Sequence, residues 1–459
     1  MAHDHCHCRD YTRSQLLHSA AAQAGKGLPS IEQGMPTPAG TGLSRRTFVF
    51  RSVGLALSVY GATKLPFEAL EEGIANAAPP TNRVLVSLFF DGGIDSLNVL
   101  APIDNPTYHD LRPTLALSSG TLLEADSDPN TRLYWHPATA NLQTLRSEDK
   151  VTVLPAVGYD SPDQSHFTSR HFYEIGETNV AGNTGWLGRY VDAYGSPDNP
   201  LQGLSLAYEL SPMLATASNP VAAVADVTDY DLPNWVWTGE IQDNMYNSFA
   251  NLGNLSSDSG AMSQARRATK QTSQVRTELA GFGNLGTNPA VNALYPANTE
   301  LSRQLKSLAA LIADPSLSVQ CVTLSATGGY DTHSGEAPTL QSNLQRTCDA
   351  VFAFQRDLEQ RGLDDRVLIN MWSEFGRRPE ENGGGTDHGA AGLGFVVGKH
   401  AGGTTLGPFP GLATLDPQDN LVHTRDFRSV YTTLLANWLG VDPAPIIPGT
   451  HPVYSDLLD

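Results

Sequence analysis

Three short apolar runs, each broken off by glycines and followed at once by carboxylates or imidazoles, narrow the folds open to this chain. Val84 to Phe90 is apolar apart from Ser87 and ends in Asp91-Gly92-Gly93-Ile94-Asp95-Ser96. Leu317 to Ser325 reads as a largely buried strand and leads into Thr327-Gly328-Gly329-Tyr330-Asp331-Thr332-His333. Val367 to Trp372 is apolar apart from Asn370 and opens the stretch Ser373 to Gly389, which holds Glu374, Arg377, Arg378, three consecutive glycines and Asp387-His388. Runs of this length without alternation are strands buried on both faces, the habit of parallel sheets. Polar groups that follow them stand at the carboxyl edge, where open α/β sheets place their ligand sites.

The segments between these runs supply helices. Leu301, Leu305, Leu308 and Leu311 are helically spaced before one run, and Leu340, Leu344, Val351, Phe352 and Leu358 form a stripe before the next. Strand, helix, strand is the crossover unit of a parallel sheet. Val151 to Gly158 is a further strand; a turn-rich loop to Gln164 then precedes a helix over Phe167 to Ile175. Ser165 and His166 fall at that helix's start, where free amides favour an anion, or where a serine simply caps the helix beside a surface histidine. Phe427, Val430, Tyr431, Leu434, Leu435 and Trp438 make a last amphipathic helix, with Asp426 and Gly440 as its caps. The expected fold is α/β, a mostly parallel sheet sandwiched by helices. Residues 185–300, with Trp186, Trp235 and Trp237 set among Gly, Asn, Ser and Pro, are expected to form an irregular inserted subdomain or cap.

Composition bears on partners and compartment. Of 459 residues 40% are hydrophobic and 17% charged, the balance of a folded globular chain, and the formal charge of −19 argues against nucleic acid held through a general positive field. Ser44-Arg45-Arg46-Thr47-Phe48 is a twin-arginine pattern, followed by an apolar run to Ala62 and by Ala75-Asn76-Ala77, a small-residue cleavage signal. Residues 1–77 therefore read as an export leader and 78–459 as the mature domain. The expected location is periplasmic or extracellular, with the twin-arginine translocase as a partner during export. His3, His5, Cys6, His7 and Cys8 could chelate a metal but would leave with the leader. Export permits a disulfide between Cys321 and Cys348; two buried free thiols fit equally well.

Asp331 with His333, Asp387 with His388, and Asp91 bring carboxylate and imidazole groups to one edge from separate strands, the convergence that one or two divalent ions require. Zinc, manganese and calcium are the candidate ions. Glu374 is a further candidate ligand, or a partner that orients a ligating histidine.

Phe90 to Asn98, Ser165-His166-Phe167, Gly328 to His333, Ser373 to Arg377, Gly385 to Gly389 and Asp426-Phe427-Arg428 together resemble the bacterial proteins of domain-of-unknown-function family 1501. These proteins look related to the alkaline phosphatase and sulfatase superfamily. The resemblance implies that Asp91, Asp331, His333, Asp387 and His388 are metal ligands and that Ser165 is the nucleophile, with Ser96 as the alternative. The chain departs from the superfamily in the short spacing of Asp331 and His333 and in lacking Cys-x-Pro-x-Arg; His400 and His423 compete as the last histidine ligand. Arg377 or Arg378 would clamp a phosphate or sulfate by forked hydrogen bonds. The implied activity is an exported, metal-dependent hydrolase of small phosphate or sulfate esters. The alternative is an exported binding or assembly protein that keeps the fold without turnover.

Overall fold

The computed structural model describes residues 81–124, 128–230, 239–256 and 260–459; the expected leader, Trp235 and Trp237 lie outside them. Two units divide the chain, Met1–Leu57 with Asp231–Gln274, and Ser58–Tyr230 with Val275–Asp459.

The second unit is built on a mixed sheet. Its strands are β1 (Val84–Phe89), the two-residue strands β2 (Leu100–Ala101), β3 (Thr121–Leu122) and β4 (Tyr134–Trp135), β5 (Val151–Gly158), β6 (Gly203–Ser205) and β7 (Ala222–Ala223). After them come β8 (Cys321–Ser325), β9 (Val367–Trp372), β10 (Arg377–Glu381), β11 (Thr386–His388), β12 (Gly392–Val397) and β13 (Arg425–Asp426). Eight of these form the main sheet in the order β13-β5-β12-β9-β1-β8-β6-β7, and every pairing is parallel except those of β12. The strands β2 to β4 form a small separate sheet, and β10 with β11 a hairpin.

The helices that bear on the site and the cores are α1 (His166–Ile175), α2 (Trp186–Tyr194), α3 (Glu240–Gly253), α4 (Gly260–Leu279), α5 (Glu300–Ala313), α6 (Glu336–Arg361) and α7 (Phe427–Thr433). Alternation along the buried strands sends side chains into two cores. Val84, Val86, Leu88, Val367, Ile369 and Met371 meet Leu305, Leu308 and Leu344 on one face. Leu85, Phe89, Leu368 and Trp372 meet Trp186, Tyr190, Tyr431 and Trp438 on the other. Each such side chain contributes about 1.5–3 kcal/mol on full burial, so the central strands are held from both sides. The fold is thus mixed α/β, with a large, mostly parallel central sheet flanked by helices.

Register positions the site. Phe89 lies opposite both Ser325 and Trp372, so β1, β8 and β9 end flush and their three polar loops leave from one edge. Two elements differ from the sequence expectation for physical reasons. The ladder of β8 begins at Cys321 rather than Leu317, because Ser318 turns the chain at φ +47° and Asn199 Nδ2 takes the Leu317 carbonyl at 2.8 Å. Within 185–300, β6 and β7 extend the main sheet, and Trp186 is fully buried, stacked on Tyr431 at 4.3 Å. In the first unit the described residues are α3 and α4 as far as Gln274. They pack so closely at Gly253 that a Cβ there would lie 2.9 Å from the Lys270 amide.

Cys321 and Cys348 are free and buried, and burial pushes both thiols well above their ordinary range. Among the described residues no helix is long and apolar enough to cross a membrane.

Candidate metal and catalytic site

The edge where β1, β8 and β9 end is organised by Glu374, which is only 1% exposed. Its carboxylate accepts from Gly92 N at 3.1 Å, Gly93 N at 3.1 Å, Ser373 Oγ at 3.0 Å and His166 Nδ1 at 2.7 Å. The two glycines are needed for this grip. They sit at φ +116° and +73°, and a Cβ would lie 2.4 Å from Asp331 N at Gly92 and 2.3 Å from the Phe375 ring at Gly93. Successive amides held in this way make a small anion-binding concavity. Here it is filled by the protein's own carboxylate.

Glu374 can only accept when ionised, so His166 donates its Nδ1 proton and turns Nε2 inward, a lone pair while the ring is neutral and a donor toward Asp331 once it is protonated. His388 follows the same rule, with Nδ1 3.0 Å from the Gln164 carbonyl. His333 follows it too, with Nδ1 3.1 Å from Asp387 Oδ1. All three Nε2 atoms converge on Asp331 Oδ1, at 3.1 Å from His333, 3.3 Å from His388 and 3.5 Å from His166. His333 Nε2 and His388 Nε2 stand 3.1 Å apart, and the buried His166 Nε2 has no hydrogen-bond partner.

Three lone pairs facing one carboxylate oxygen repel one another unless positive charge sits among them, either as protons on the rings or as a cation. The electrostatics of the site agree. Burial lowers the His166 pKa, but Asp331 and Glu374 outweigh it and push the ring up to about 9. Burial likewise opposes ionisation of Asp331, and hydrogen bonds from His166, His388 and Arg377 override it, holding the carboxyl far below the usual range. His166, Asp331 and His388 present ligand atoms that all lie within 4.8 Å of one another, a spacing that fits a metal ion.

The other candidates fall into distinct places. Asp387 stands behind His333, as Glu374 stands behind His166, and each bonds the outward nitrogen of a ring. Asp91 lies outside the 4.8 Å group, its carboxylate 3.8 Å from Arg170. Arg377 is fully buried and commits its guanidinium to the carbonyls of Gly93, Thr386, Gly92 and Tyr330 and to Asp331 at 2.6 Å. It staples the three loops together and has no fork left for a ligand. Arg378 is more loosely held, 3.3 Å from the His388 carbonyl and 3.4 Å from Gln164 Oε1. Ser165 caps α1, its Oγ a long 3.5 Å from Thr168 N. Ser96 is buried, with an unpartnered hydroxyl. His400 pairs with Asp365, and His423 faces Asp160.

Gln164 is the participant that residue type could not reveal. It works through its main chain, at φ +58°, which a non-glycine residue adopts at a cost and which sends its carbonyl to His388.

The fold and site thus define an α/β protein with an imidazole and carboxylate cluster at the carboxyl edge of its sheet. Residues 239–448, somewhat under half of the chain, match the family described as "Protein of unknown function (DUF1501)". That span contains Asp331, His333, Glu374, Arg377, Asp387 and His388, but neither Asp91 nor His166. No curated protein matches the chain. Among solved structures it is similar to one titled "Crystal structure of Ps i-CgsB in complex with k-i-k-neocarrahexaose". The identity is 11%, with 80% of this chain and 74% of that one covered, and the TM-score is 0.35.

Proposed function

We propose that this chain is an exported, metal-dependent hydrolase of phosphate or sulfate esters, related to the alkaline phosphatase and sulfatase superfamily. The observation that carries the reading is the convergence of three Nε2 atoms on Asp331 Oδ1, with each outer nitrogen facing an oxygen acceptor. His166, His388 and Asp331 would hold the ion, with His333 beside them, its Nε2 3.1 Å from Asp331 Oδ1. Imidazoles with a carboxylate suit zinc better than calcium, which takes oxygen ligands. When bound, the ion would polarise the ester and stabilise charge on its oxygens.

The chain's own groups supply the rest. Glu374, Asp387 and the Gln164 carbonyl fix the ring tautomers, as the partners behind metal-bound histidines do. Arg377 holds Asp331 ionised. The long cap bond of Ser165 leaves its hydroxyl available as the nucleophile, next in sequence to His166. Export rests on the twin-arginine pattern of residues 44–48 and implies the corresponding translocase as a partner.

Elemental analysis of the full chain purified without chelator tests the centre. About one equivalent of zinc is expected, lost in His166→Ala and in His388→Ala. The loaded protein should then hydrolyse phosphate or sulfate mono- or diesters, with turnover abolished in Ser165→Ala. Bound metal without turnover on any of these esters would move the reading to a binding or assembly role.

A further inference from the structure

One turn beyond His166, α1 presents a second polar group on the same face. Arg170 stands four residues on, the spacing that makes neighbours along a helix surface. Its Nε donates to Glu174 Oε1 at 2.9 Å, and its guanidinium lies over the Phe89 ring, 4.8 Å from the centroid. Phe89 is the last residue of β1, directly before the loop that grips Glu374. The side chain is aimed and braced at the same edge as the imidazoles.

Its two terminal nitrogens make no hydrogen bond among the described residues. Nη1 lies 3.8 Å from Asp91 Oδ1, beyond hydrogen-bond distance, and the side chain is 40% exposed. An exposed pair at that separation contributes little. Arg377, by contrast, has spent its guanidinium on five protein oxygens. Arg378 is held on both sides, if loosely. Arg170 is the arginine of this edge that offers an open fork.

On the hydrolase reading above, we propose that Arg170 anchors the substrate. Its Nη1 and Nη2 take two oxygens of a tetrahedral oxyanion, the phosphate or sulfate group of the ester, while the reacting centre lies against the three Nε2 atoms. Planar forked donors suit such groups, and lysine cannot reproduce the paired contact. Phe89 and Glu174 hold the fork in place, so little side-chain freedom is lost on binding. Asp91 tempers the positive charge beside the fork and favours release of the anionic product.

The test is calorimetric titration of the full, metal-loaded chain with inorganic phosphate and, separately, inorganic sulfate; the two arms identify which oxyanion the fork accepts. Arg170→Ala would leave the buried Glu174 without its partner, so the variants are Arg170→Lys and the double Arg170→Met, Glu174→Gln, each checked by circular dichroism and metal content. The expected result is unchanged metal content with anion affinity reduced about 10- to 100-fold in the double variant and by a smaller factor in Arg170→Lys. Wild-type affinity in either folded variant overturns the assignment of Arg170 while leaving the hydrolase reading intact. Loaded wild-type protein that turns over esters yet binds neither anion overturns the anchor alone; failure of both binding and turnover overturns the anchor together with the reading.

Discussion

Glu374 accepts from Gly92 N, Gly93 N and His166 Nδ1 at once, and shares the single Ser373 hydroxyl proton with the Phe90 carbonyl. A glutamine at 374 must point its amide nitrogen at a donor whichever way it is turned. Glu374→Gln is therefore expected to lose at least one of these bonds and to release the His166 ring from its tautomer. Groups behind metal-bound histidines contribute about 10- to 100-fold in metal affinity, and that loss is expected in a competitive zinc titration with the fold intact by circular dichroism. Unchanged zinc affinity would show that the His166 ring needs no orientation from Glu374. At this scale the sequence was informative about which residues matter, and silent about what each does. Asp331, His333, Glu374, Asp387 and His388 are metal candidates from strand-end position, because few residue types bind metals and few places gather them; His166 is marked only by its helix-start position, as a group beside an anion or a surface histidine, and its place in the imidazole cluster comes from the structure. Whether a carboxylate faces the centre or stands behind a ring depends on which imidazole nitrogen it meets, and no spacing rule contains that. Arg377 is the sharper case, since its neighbour Arg378 is identical in type and only burial separates a staple from an open side chain.

The hairpin β10–β11 carries Arg377, Arg378, Asp387 and His388, and it is anchored from below by a fully buried ion pair. Arg112 Nη2 reaches Asp95 at 2.9 Å and the Arg378 carbonyl at 2.8 Å, while Nε takes the Pro379 carbonyl at 2.8 Å. Removing one member of a buried pair strands the other charge at a cost of about 3–5 kcal/mol. Arg112→Met should therefore lower stability by that order in urea unfolding of the metal-free chain. The double Arg112→Met, Asp95→Asn should recover part of it. Equal losses in single and double variants would mean that the stranded charge is not the cause. Elements themselves were legible where burial dominates: β1 and β9 are continuous apolar runs, α5 and α6 carry their stripes, and Asp426 caps α7 through Arg428 N at 2.8 Å. The hairpin and its anchor were not. Arg112 lies 266 residues from Arg378, and a contact between an arginine and a distant carbonyl leaves no local pattern to read.

At the scale of the molecule, the parallel sheet followed from the apolar runs, whereas the place of β6 and β7 within it did not. Strands of three and two residues are too short to show periodicity, and they are recruited by pairing with β8 rather than by their own pattern. The same long-range assembly brings Glu336, at the start of α6, against Asp95, Asn98 and Thr386 with no solvent exposure. Burial and the adjacent Asp95 charge push its carboxyl from 4.5 up to about 9. The folded chain therefore keeps a proton that the unfolded chain releases above 4.5. Its contribution to stability is fully present below pH 4.5 and is lost progressively as pH rises to about 9, after which it changes no further. The net charge of −19 adds a general repulsion of its own as acidic groups ionise, and in metal-free protein His166 adds a further decline between 6.5 and about 9. Glu336→Gln isolates the first effect, because an amide reproduces the neutral acid's shape and can still donate to Asp95. The difference in unfolding free energy between the variant and the parent should shift steadily in the variant's favour from pH 5 to pH 9. A difference that stays flat across that range would mean that Glu336 is ionised in the folded protein, and that the hairpin carrying His388 rests on a second buried negative charge instead of a shared proton.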